Sequence, residues 1–374
     1  MRILYYFPEL PIPMYQWQRI HFFDELARYN IEFDVHNLLM YDSVEEACSA
    51  LVHKAKEGSY DLFFTNVCSE KHILIETVEE LKRIGIPTLS FRSDNLSIPF
   101  NDSILAKHFD LVWLTAKETK YLYDKWGVNT MFAPYAANPH KFRLVDPTNI
   151  ERSVCFIGTP YGSRTRMMNN LLSNDINLTL FYGKPDKKNT ERCDVSDQIR
   201  QRLYSPNKLE ALINRMKFKE GRRLMYGTVV NKLSGRRDLV ENEHLFREKS
   251  VDWDDICSIY SRYALSLAST SAVHTDILKN PVKVINLRNF EIPMSGGIEI
   301  CRYNAELADY FEDGKEILLY KDNAELIDKA KYYTERASDK ELLSIKQAAR
   351  RRSENEHTWM NRFKVAFDKL GLKY

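Results

Sequence analysis

The first part of the chain alternates short apolar segments with amphipathic ones, and this alternation limits the fold more than any other feature. Ile3–Phe7 is apolar, Gln16–Tyr29 has helical spacing, and Ile31–Val35 alternates as a strand does. Further strand-like segments follow at 60–67, 87–91, 109–114 and 129–133. Strands that alternate with helices form parallel sheets covered on both faces. Residues 1–146 are therefore predicted to form a Rossmann-like α/β domain.

Two predicted helix starts carry a capping-box signature, in which a hydroxyl residue is followed three positions later by glutamate. Ser43 with Glu46 and Thr115 with Glu118 have this spacing. The hydroxyl accepts a hydrogen bond from a backbone N–H of the first helical turn, so each pair predicts where a helix begins.

Polar residues follow two of the predicted strands at their carboxyl ends, where ligands bind in sheets of this kind. Asn66 ends the third strand, and Arg92 and Asp94 follow the fourth. We expect these three side chains to line a binding site. The alternative for Asp94 is an aspartate that only caps a turn, which is common where strands end.

The second half opens with another strand, a glycine-containing loop and a helix start, from Ser153 to Arg164. Backbone N–H groups at a helix N-terminus bind anions, and Arg164 and Arg166 add fixed positive charge. The loop predicts a phosphate site, while an ordinary helix cap with solvated arginines is the alternative. Together with strands at 176–182 and 264–267, it predicts a second Rossmann-like domain over residues 147–352.

The stretch 286–300 carries the most specific chemistry. The apolar run Val282–Leu287 is predicted to be a buried strand. Arg288 and Glu291 follow it at a spacing of three, so both can point the same way on a helical turn. An arginine fork fits a diphosphate, and a carboxylate can accept from both hydroxyls of a ribose. A surface Arg–Glu pair on an ordinary connection is the alternative.

Residues 185–250 lack the strand–helix pattern and are predicted to be a helical insertion in the second domain. Residues 208–237 are basic, with only Glu210 and Glu220 facing these cations: Lys208, Arg215, Lys217, Lys219, Arg222, Arg223, Lys232, Arg236 and Arg237. Such a run is usually a solvated face. The alternative is a surface that contacts an anionic acceptor, a phospholipid headgroup or nucleic acid.

Composition narrows the class of protein. The chain has 374 residues, a net charge of +2 and six scattered cysteines without a C-x-x-C pair. This length suits two domains, and the cysteines favour reduced thiols in the cytosol over disulfides or zinc. No apolar run approaches the length of a membrane span. Asp252 and Asp254 form a D-x-D pattern, but they open a predicted helix whose dipole favours acidic residues, so no metal site is predicted.

The pattern R-x-F-E-x4-G-G, from Arg288 to Gly297, resembles the nucleotide-binding corner of GT-B glycosyltransferases, particularly the CgeB-like branch of spore-maturation proteins. The resemblance implies that Glu291 holds the donor ribose and that Arg288 and Arg164 face the diphosphate. The donor-binding residues it implies are Gly158, Thr159, Ser163, Arg164, Arg288, Glu291, Ser295, Gly296 and Gly297. Glu299 completes an E-x7-E match with Glu291, but the glycines align Glu291 with the second position of that signature. We interpret Glu299 as a chance match.

A second, shorter resemblance concerns Asp94. The apolar strand, the Ser93-Asp94 pair and the loop that ends Ile98-Pro99-Phe100 are similar to the surroundings of the general base in the phage DNA β-glucosyltransferase. It implies that Asp94 removes the proton from the acceptor hydroxyl, with inversion at the anomeric carbon. The chain departs from many GT-B enzymes after its first strand, where Glu9-Leu10 replaces a glycine pair.

These patterns and resemblances together predict an α/β protein of the GT-B class, with two Rossmann-like domains facing a cleft. Residues 353–374 are expected to form a helix that crosses back to the first domain. The predicted activity is metal-independent transfer of a sugar from a UDP-, GDP- or dTDP-linked donor, with no cofactor. Asp94 and Arg288 are the predicted catalytic residues, and Asn66, Arg92 and Asp94 are predicted to bind the acceptor.

The expected acceptor is a glycan or a lipid-linked glycan of a bacterial surface polysaccharide, a context that comes from the family alone. The protein is expected in the cytoplasm or on the inner face of the membrane. A DNA-modifying glucosyltransferase, a non-catalytic GT-B-like protein and, more distantly, a sugar-nucleotide epimerase are the alternatives. Oligomeric state has no sequence signal.

Overall fold

The computed structural model describes residues 1–10, 16–96, 102–145, 149–183, 208–234 and 238–374. Tertiary contacts divide the chain into two compact units. Unit 1 contains Met1–Pro134, the described part of Glu191–Gly221, and Trp359–Tyr374. Unit 2 contains the described parts of Tyr135–Thr190 and Arg222–Thr358.

Each unit contains a parallel sheet of six strands. The strands of unit 1 pair in the order β2-β1-β3-β4-β5-β6. They are β1 Arg2–Phe7, β2 Glu32–Asn37, β3 Leu62–Thr65, β4 Thr88–Arg92, β5 Leu111–Leu114 and β6 Thr130–Phe132. The strands of unit 2 pair in the order β12-β11-β10-β7-β8-β9. They are β7 Glu151–Ile157, β8 Leu178–Phe181, β9 Leu245–Glu248, β10 Tyr263–Leu267, β11 Glu299–Arg302 and β12 Leu318–Tyr320.

Helices connect the strands, as the alternating pattern predicts. In chain order they are α1 Asp24–Ala27, α2 Val44–Glu57, α3 Ile75–Arg83, α4 Lys120–Lys125, α5 Ser163–Leu172, α6 Lys208–Met216, α7 Lys219–Leu233, α8 Ile256–Arg262, α9 Arg288–Met294, α10 Ala305–Tyr310, α11 Asn323–Lys331, α12 Asp339–Glu356 and α13 Trp359–Leu370. Short 3-10 helices lie at Leu38–Met40, Ala106–His108, Lys117–Thr119 and Thr275–Ile277, and π-helical turns lie at Arg19–Phe23 and Tyr332–Arg336.

The C-terminal helix α13 packs against the first sheet within unit 1. Its first backbone amides are held by the carboxylate of Glu25 in α1, with Trp359 N at 3.1 Å and Met360 N at 2.7 Å from its oxygens. A carboxylate at a helix N-terminus satisfies amides that have no helical partner. Trp359 and Phe363 are fully buried. Apolar burial and this cap together keep the chain end on unit 1.

The change from unit 1 to unit 2 occurs at Pro134–Tyr135, earlier than the predicted residue 146. Arg350 of α12 explains this position, because its guanidinium donates to the backbone carbonyls of Phe142, Met294 and Pro139. These bonds connect the segment after Tyr135 to the helices of unit 2.

One segment of unit 2 and one segment divided between the two units differ from their predicted structure. Val282–Leu287 is not a strand of the sheet, because β11 already pairs with β10 and the segment makes only a single antiparallel bridge, between Ser271 and Lys283. The predicted helical insertion contains α6 and α7, but it also contains β9, which pairs with β8 at the sheet edge. Residues 185–207 and 235–237 of that segment lie outside the described residues.

Candidate functional site

The two central connections of unit 2 leave the sheet towards opposite faces. Val154 and Phe156 of β7 pack in one core with Met168 of α5. Cys155 points to the other face, beside Ser266, and the connection after β10 leads to α9, which packs on α12. Ligands of α/β sheets bind at the carboxyl edge where neighbouring connections diverge in this way. The space between the ends of β7 and β10 is therefore the candidate site of unit 2.

The loop after β7 has the backbone that a close anion contact needs. Gly158 and Gly162 have positive φ angles of 139° and 57°. A Cβ at Gly162 would lie 2.7 Å from Nδ1 of His274, so only glycine fits there. Thr159 is exposed, and Ser163 is the first residue of α5. The predicted loop residues thus lie together at the N-terminus of a ten-residue helix.

Arg164 and Arg288 converge on this space from the two sides. Arg164 lies over the ring of Tyr161 at 4.7 Å and donates to the carbonyl of Thr159 at 3.3 Å. Burial lowers the pKa of Arg164, Tyr161 opposes that shift, and the positive charge of Arg288 lowers the pKa further. Two neighbouring cations at a carboxyl edge are an arrangement that can attract a multivalent anion.

Arg288 is held in place by Glu291. Nη1 of Arg288 lies 2.6 Å from Oε2 of Glu291, and the arginine side chain is 34% exposed while the carboxylate is 1% exposed. Burial alone would lower the pKa of Arg288, but Tyr260 and Glu291 raise it above its ordinary value. The structure thus buries the carboxylate beneath a guanidinium that solvent can reach.

Asparagine side chains fix the start of α9. Asn286 donates through Nδ2 to the carbonyl of Ser269 after β10, at 3.1 Å, and accepts from the backbone N–H of Arg288 at 3.1 Å. Asn289 accepts from the backbone N–H of Asn286 at 2.9 Å. Arg288 is therefore positioned by the loop that follows β10 as well as by its own helix.

Ser295, Gly296 and Gly297 lie at the opposite end of α9 from Arg288, and all three are buried. A Cβ on Gly296, which has a φ of 69°, would lie 2.1 Å from a methyl carbon of Leu144. Ser295 donates to the carbonyl of Glu291 at 2.8 Å. These contacts explain why the motif needs small residues there. They close the helix and pack it.

Arg166 belongs to a different cluster from Arg164. Its Nε lies 3.0 Å from Oδ2 of Asp276, and it also donates to Asn231 at 2.9 Å. Burial raises the pKa of Asp276, and the guanidinium opposes that shift. The charge of Arg166 is therefore compensated within the protein, whereas the charge of Arg164 has no ion-pair partner among the described residues.

In unit 1, Asp94 is exposed at the end of β4 and has a φ of 55°, in the left-handed region that few residues other than glycine adopt. The next residue holds this turn in place. Asn95 is fully buried, donates to the carbonyl of Ala116 at 2.7 Å and to Thr119 at 2.6 Å, and accepts from the backbone N–H groups of Thr115 and Ala116. A strained residue held by its neighbours is typical of functional sites. The loop 97–101 after it lies outside the described residues.

Arg92, which was predicted to bind the acceptor, is buried. Its guanidinium forms a two-bond ion pair with Asp102, at 2.6 and 2.7 Å, and donates to the carbonyl of Val67 at 2.8 Å. Both side chains of the pair are 0% exposed. An arginine at the end of a strand can either face a ligand or stabilise the sheet edge through buried contacts, and Arg92 makes buried contacts. Asn66 is half-buried at the end of β3.

Sequence reasoning missed several residues that shape these edges. Tyr260 is buried beside Arg288, and Asn95 and Asp102 support the turn at Asp94. Their positions depend on tertiary contacts. The position of Asn95 directly after Asp94 is the one sequence signal that could have identified any of these residues.

Comparison with known proteins gives the context for this geometry. Residues 201–368 match the family of glycosyl transferase-like proteins. No curated protein matches the sequence. The matched range includes α9 with Arg288 and Glu291, and it excludes the loop after β7. It also includes residues 201–250, which are part of the segment predicted to be an insertion.

Solved structures share the architecture over the whole chain. HepE from Anabaena, in complex with UDP and glucose, is 13% identical with a TM-score of 0.58, and 100% of each chain is covered. Sucrose-phosphate synthase from Thermosynechococcus elongatus is 12% identical with a TM-score of 0.54 over 99% of each chain. The fold is GT-B. AviGT4, a glycosyltransferase involved in avilamycin A biosynthesis, is 12% identical with a TM-score of 0.54, covering 99% of this chain and 96% of that one. The fold class predicted from the sequence is thus confirmed.

No helix among the described residues is long and apolar enough to cross a membrane. In the same part of the chain, no group of three or more His, Cys, Asp or Glu side chains is arranged to hold a metal ion.

Proposed function

We propose that this protein is a glycosyltransferase that moves a sugar from a nucleotide-sugar donor to an acceptor hydroxyl. The convergence of Arg164 and Arg288 at the divergence of β7 and β10 carries the proposal, because this arrangement fits a diphosphate. The match of residues 201–368 to glycosyl transferase-like proteins supports it. UDP is the proposed donor nucleotide, since HepE has been solved with UDP and with UDP-glucose.

The proposed chemistry needs charge stabilisation more than any other contribution. Breaking the bond between sugar and diphosphate leaves negative charge on the departing nucleotide. Arg164, Arg288 and the backbone N–H groups from Gly158 to Ser163 would stabilise that charge as it develops. We propose that these fixed groups supply the stabilisation without a metal ion.

Glu291 has two proposed roles. It orients Arg288 through the 2.6 Å ion pair, and it accepts from the ribose hydroxyls when the nucleotide binds. Because the carboxylate is 1% exposed, the second role requires the pair to shift as the nucleotide enters. The variant Glu291→Gln keeps an acceptor for the ribose hydroxyls but loses the charge that holds Arg288. The two roles therefore predict different effects of this variant on nucleotide binding.

Asp94 is the proposed general base, and its exposed position at the end of β4 supports this role. It would take the proton of the acceptor hydroxyl while the donor carbon is attacked, with inversion. Asn66 is the remaining proposed acceptor contact of unit 1. Proton NMR of the product decides the stereochemistry, and retention of the donor's anomeric configuration would remove this role from Asp94.

The acceptor is proposed to be a glycan, free or lipid-linked, of a surface polysaccharide in a CgeB-like enzyme. One face of α6 supports the lipid-linked form. Its residues Leu209, Leu212, Ile213 and Met216 recur at helical spacing and are each between 47% and 62% exposed. Arg215, Lys217 and Lys219 flank this face. An apolar row bordered by cations suits the surface of an anionic membrane on the cytoplasmic side.

DNA is the alternative acceptor, and vesicle binding separates the two. The membrane proposal predicts that the protein sediments with vesicles containing phosphatidylglycerol, and that Leu212→Ser with Ile213→Ser abolishes this. Binding to duplex DNA that weakens steeply with salt, without vesicle binding, would instead favour the DNA-modifying alternative.

Thermal stabilisation by UDP, GDP, dTDP and CMP tests the donor site. One nucleotide should raise the unfolding midpoint of the wild type, and Glu291→Ala should lose the shift. Glu306→Ala, which removes another buried carboxylate of unit 2, is the matched control and should keep it. A midpoint that no nucleotide changes, together with absence of donor hydrolysis, would favour a non-catalytic GT-B-like protein.

A further inference from the structure

We propose that Glu299 is a positioning residue for the nucleotide site, acting through Asn289 to hold the start of α9 and with it Arg288. This inference rests on the proposed function. It assigns a role to a glutamate that the sequence pattern marked only as a chance match.

A continuous set of hydrogen bonds leads from the sheet to the arginine. Oε1 of Glu299, on β11, accepts from Nδ2 of Asn289 at 2.5 Å. Oδ1 of Asn289 accepts from the backbone N–H of Asn286, whose own side chain accepts from the backbone N–H of Arg288. Each asparagine therefore donates and accepts at once. The strand fixes the rotation of Asn289, and Asn289 fixes the turn that starts the helix.

The helix needs such an anchor because its own hydrogen bonding is interrupted. Pro293 lies within α9 and cannot donate the helical hydrogen bond to the carbonyl of Asn289. A helix of seven residues with one bond missing has little stability of its own. Side-chain contacts with the sheet must then determine where its first turn lies.

A carboxylate at this position is costly, which argues that it has a specific task. Glu299 is 0% exposed, and burial raises its pKa to about 7, against the opposing effects of hydrogen bonds from Asn289 and Cys301. A leucine would fill the same volume in a sheet interior without that penalty. What the carboxylate adds is a strong acceptor aimed at Asn289.

Donor affinity of conservative variants tests the assignment. Glu299→Gln keeps an acceptor oxygen at the same reach and should change the donor KM less than twofold. Glu299→Asp keeps the charge but is one methylene shorter, and Glu299→Leu lacks the acceptor. Both should raise the donor KM about 5- to 20-fold, with kcat at saturating donor changed much less. Glu299→Asp keeps the test available if the leucine variant does not fold.

A double-mutant cycle with Asn289→Leu distinguishes positioning from loss of stability. If the two residues act through one bond, the double variant should raise the donor KM no more than either single variant. Additive effects, or a Glu299→Asp enzyme with wild-type KM, would overturn the assignment. The Arg288→Ala variant separates this outcome from failure of the proposed function. Unchanged nucleotide affinity in Arg288→Ala would contradict the donor site itself. Reduced nucleotide affinity in Arg288→Ala, together with a wild-type donor KM in Glu299→Asp, would contradict only the positioning role.

Discussion

The carboxyl edges of both sheets contain arginine side chains, but the two edges differ in how far carboxylates neutralise those arginines. In unit 1, Arg92 is neutralised by Asp102, and Arg19 is neutralised by Glu9, with bonds of 2.6 to 2.7 Å. In unit 2, Arg288 is close enough to Arg164 to lower the pKa of Arg164, and among the described residues only Arg288 has a carboxylate partner. The two arginines of the first edge are therefore neutralised, whereas Arg164 of the second edge has no ion-pair partner among the described residues. This difference is consistent with the acceptor proposed for unit 1 and the anionic donor proposed for unit 2.

The largest effect is expected at the exposed aspartate of unit 1. Asp94→Asn removes the proposed base without changing the size of the side chain, so kcat should fall by about 10²- to 10⁴-fold. Nucleotide affinity should stay within about twofold, because the proposed donor-binding residues belong to unit 2. Steady-state kinetics with a separate nucleotide titration measures both. A wild-type kcat would show that the edge of unit 1 supplies no base.

The neutralised pair of unit 1 should matter for stability. Arg92→Met leaves Asp102 buried without its cation, which should lower the free energy of unfolding by about 3–5 kcal/mol. Urea denaturation measures this loss. Adding Asp102→Leu to the same chain should restore part of the stability, since the unpaired charge is then gone. If Arg92→Met were as stable as the wild type, the contrast between the two edges would not hold.

The buried glutamate of unit 2 predicts a pH dependence of stability. Its pKa is raised from 4.5 to about 7 in the folded protein. Between those values the folded state binds more protons than the unfolded state, so the free energy of unfolding from this group falls as pH rises from about 4.5 to about 7. The loss is on the order of 2–3 kcal/mol. Glu299→Gln should lack this slope in urea titrations at several pH values, and an unchanged slope would contradict the burial of an ionisable carboxyl there.

The smallest effect concerns the cation without an ion-pair partner. Arg164→Gln relieves repulsion with Arg288, so the stability of the ligand-free protein should change by less than about 0.5 kcal/mol. Nucleotide affinity should fall about 3- to 10-fold, and the difference from wild type should shrink at high salt because the site is partly exposed. A large loss of stability would mean that Arg164 is structural, like Arg92.

The sequence predicted the elements well where local signals agree with the fold. The Ser43–Glu46 box starts α2, with the serine accepting from Glu46 N at 3.0 Å. The Thr115–Glu118 box does not form, because Thr115 donates instead to the carbonyl of Arg92 and accommodates the turn at Asp94. The strand β9 was missed because its residues are mostly exposed and give no apolar run.

Local sequence signals were similarly limited in predicting the orientation of the site residues. The spacing of Arg288 and Glu291 predicted that they could point the same way, and they form an ion pair. Whether an arginine at a strand end faces a ligand or the interior depends on partners distant in sequence. Arg92 forms hydrogen bonds with Asp102 and with the carbonyl of Val67, and Arg288 lies beside Tyr260. No pattern local to either arginine contains that information.

Calorimetric titration of UDP into the wild type and Arg288→Ala tests the central claim most directly. A charge-assisted hydrogen bond is worth about 1.5–3 kcal/mol, so the alanine variant should bind UDP about 10- to 100-fold more weakly. Arg152→Ala is the matched control, since Arg152 is a similarly exposed arginine of unit 2 paired with an acidic residue, and it should bind as the wild type does. Equal affinity in Arg288→Ala and the wild type would contradict a diphosphate site between β7 and β10.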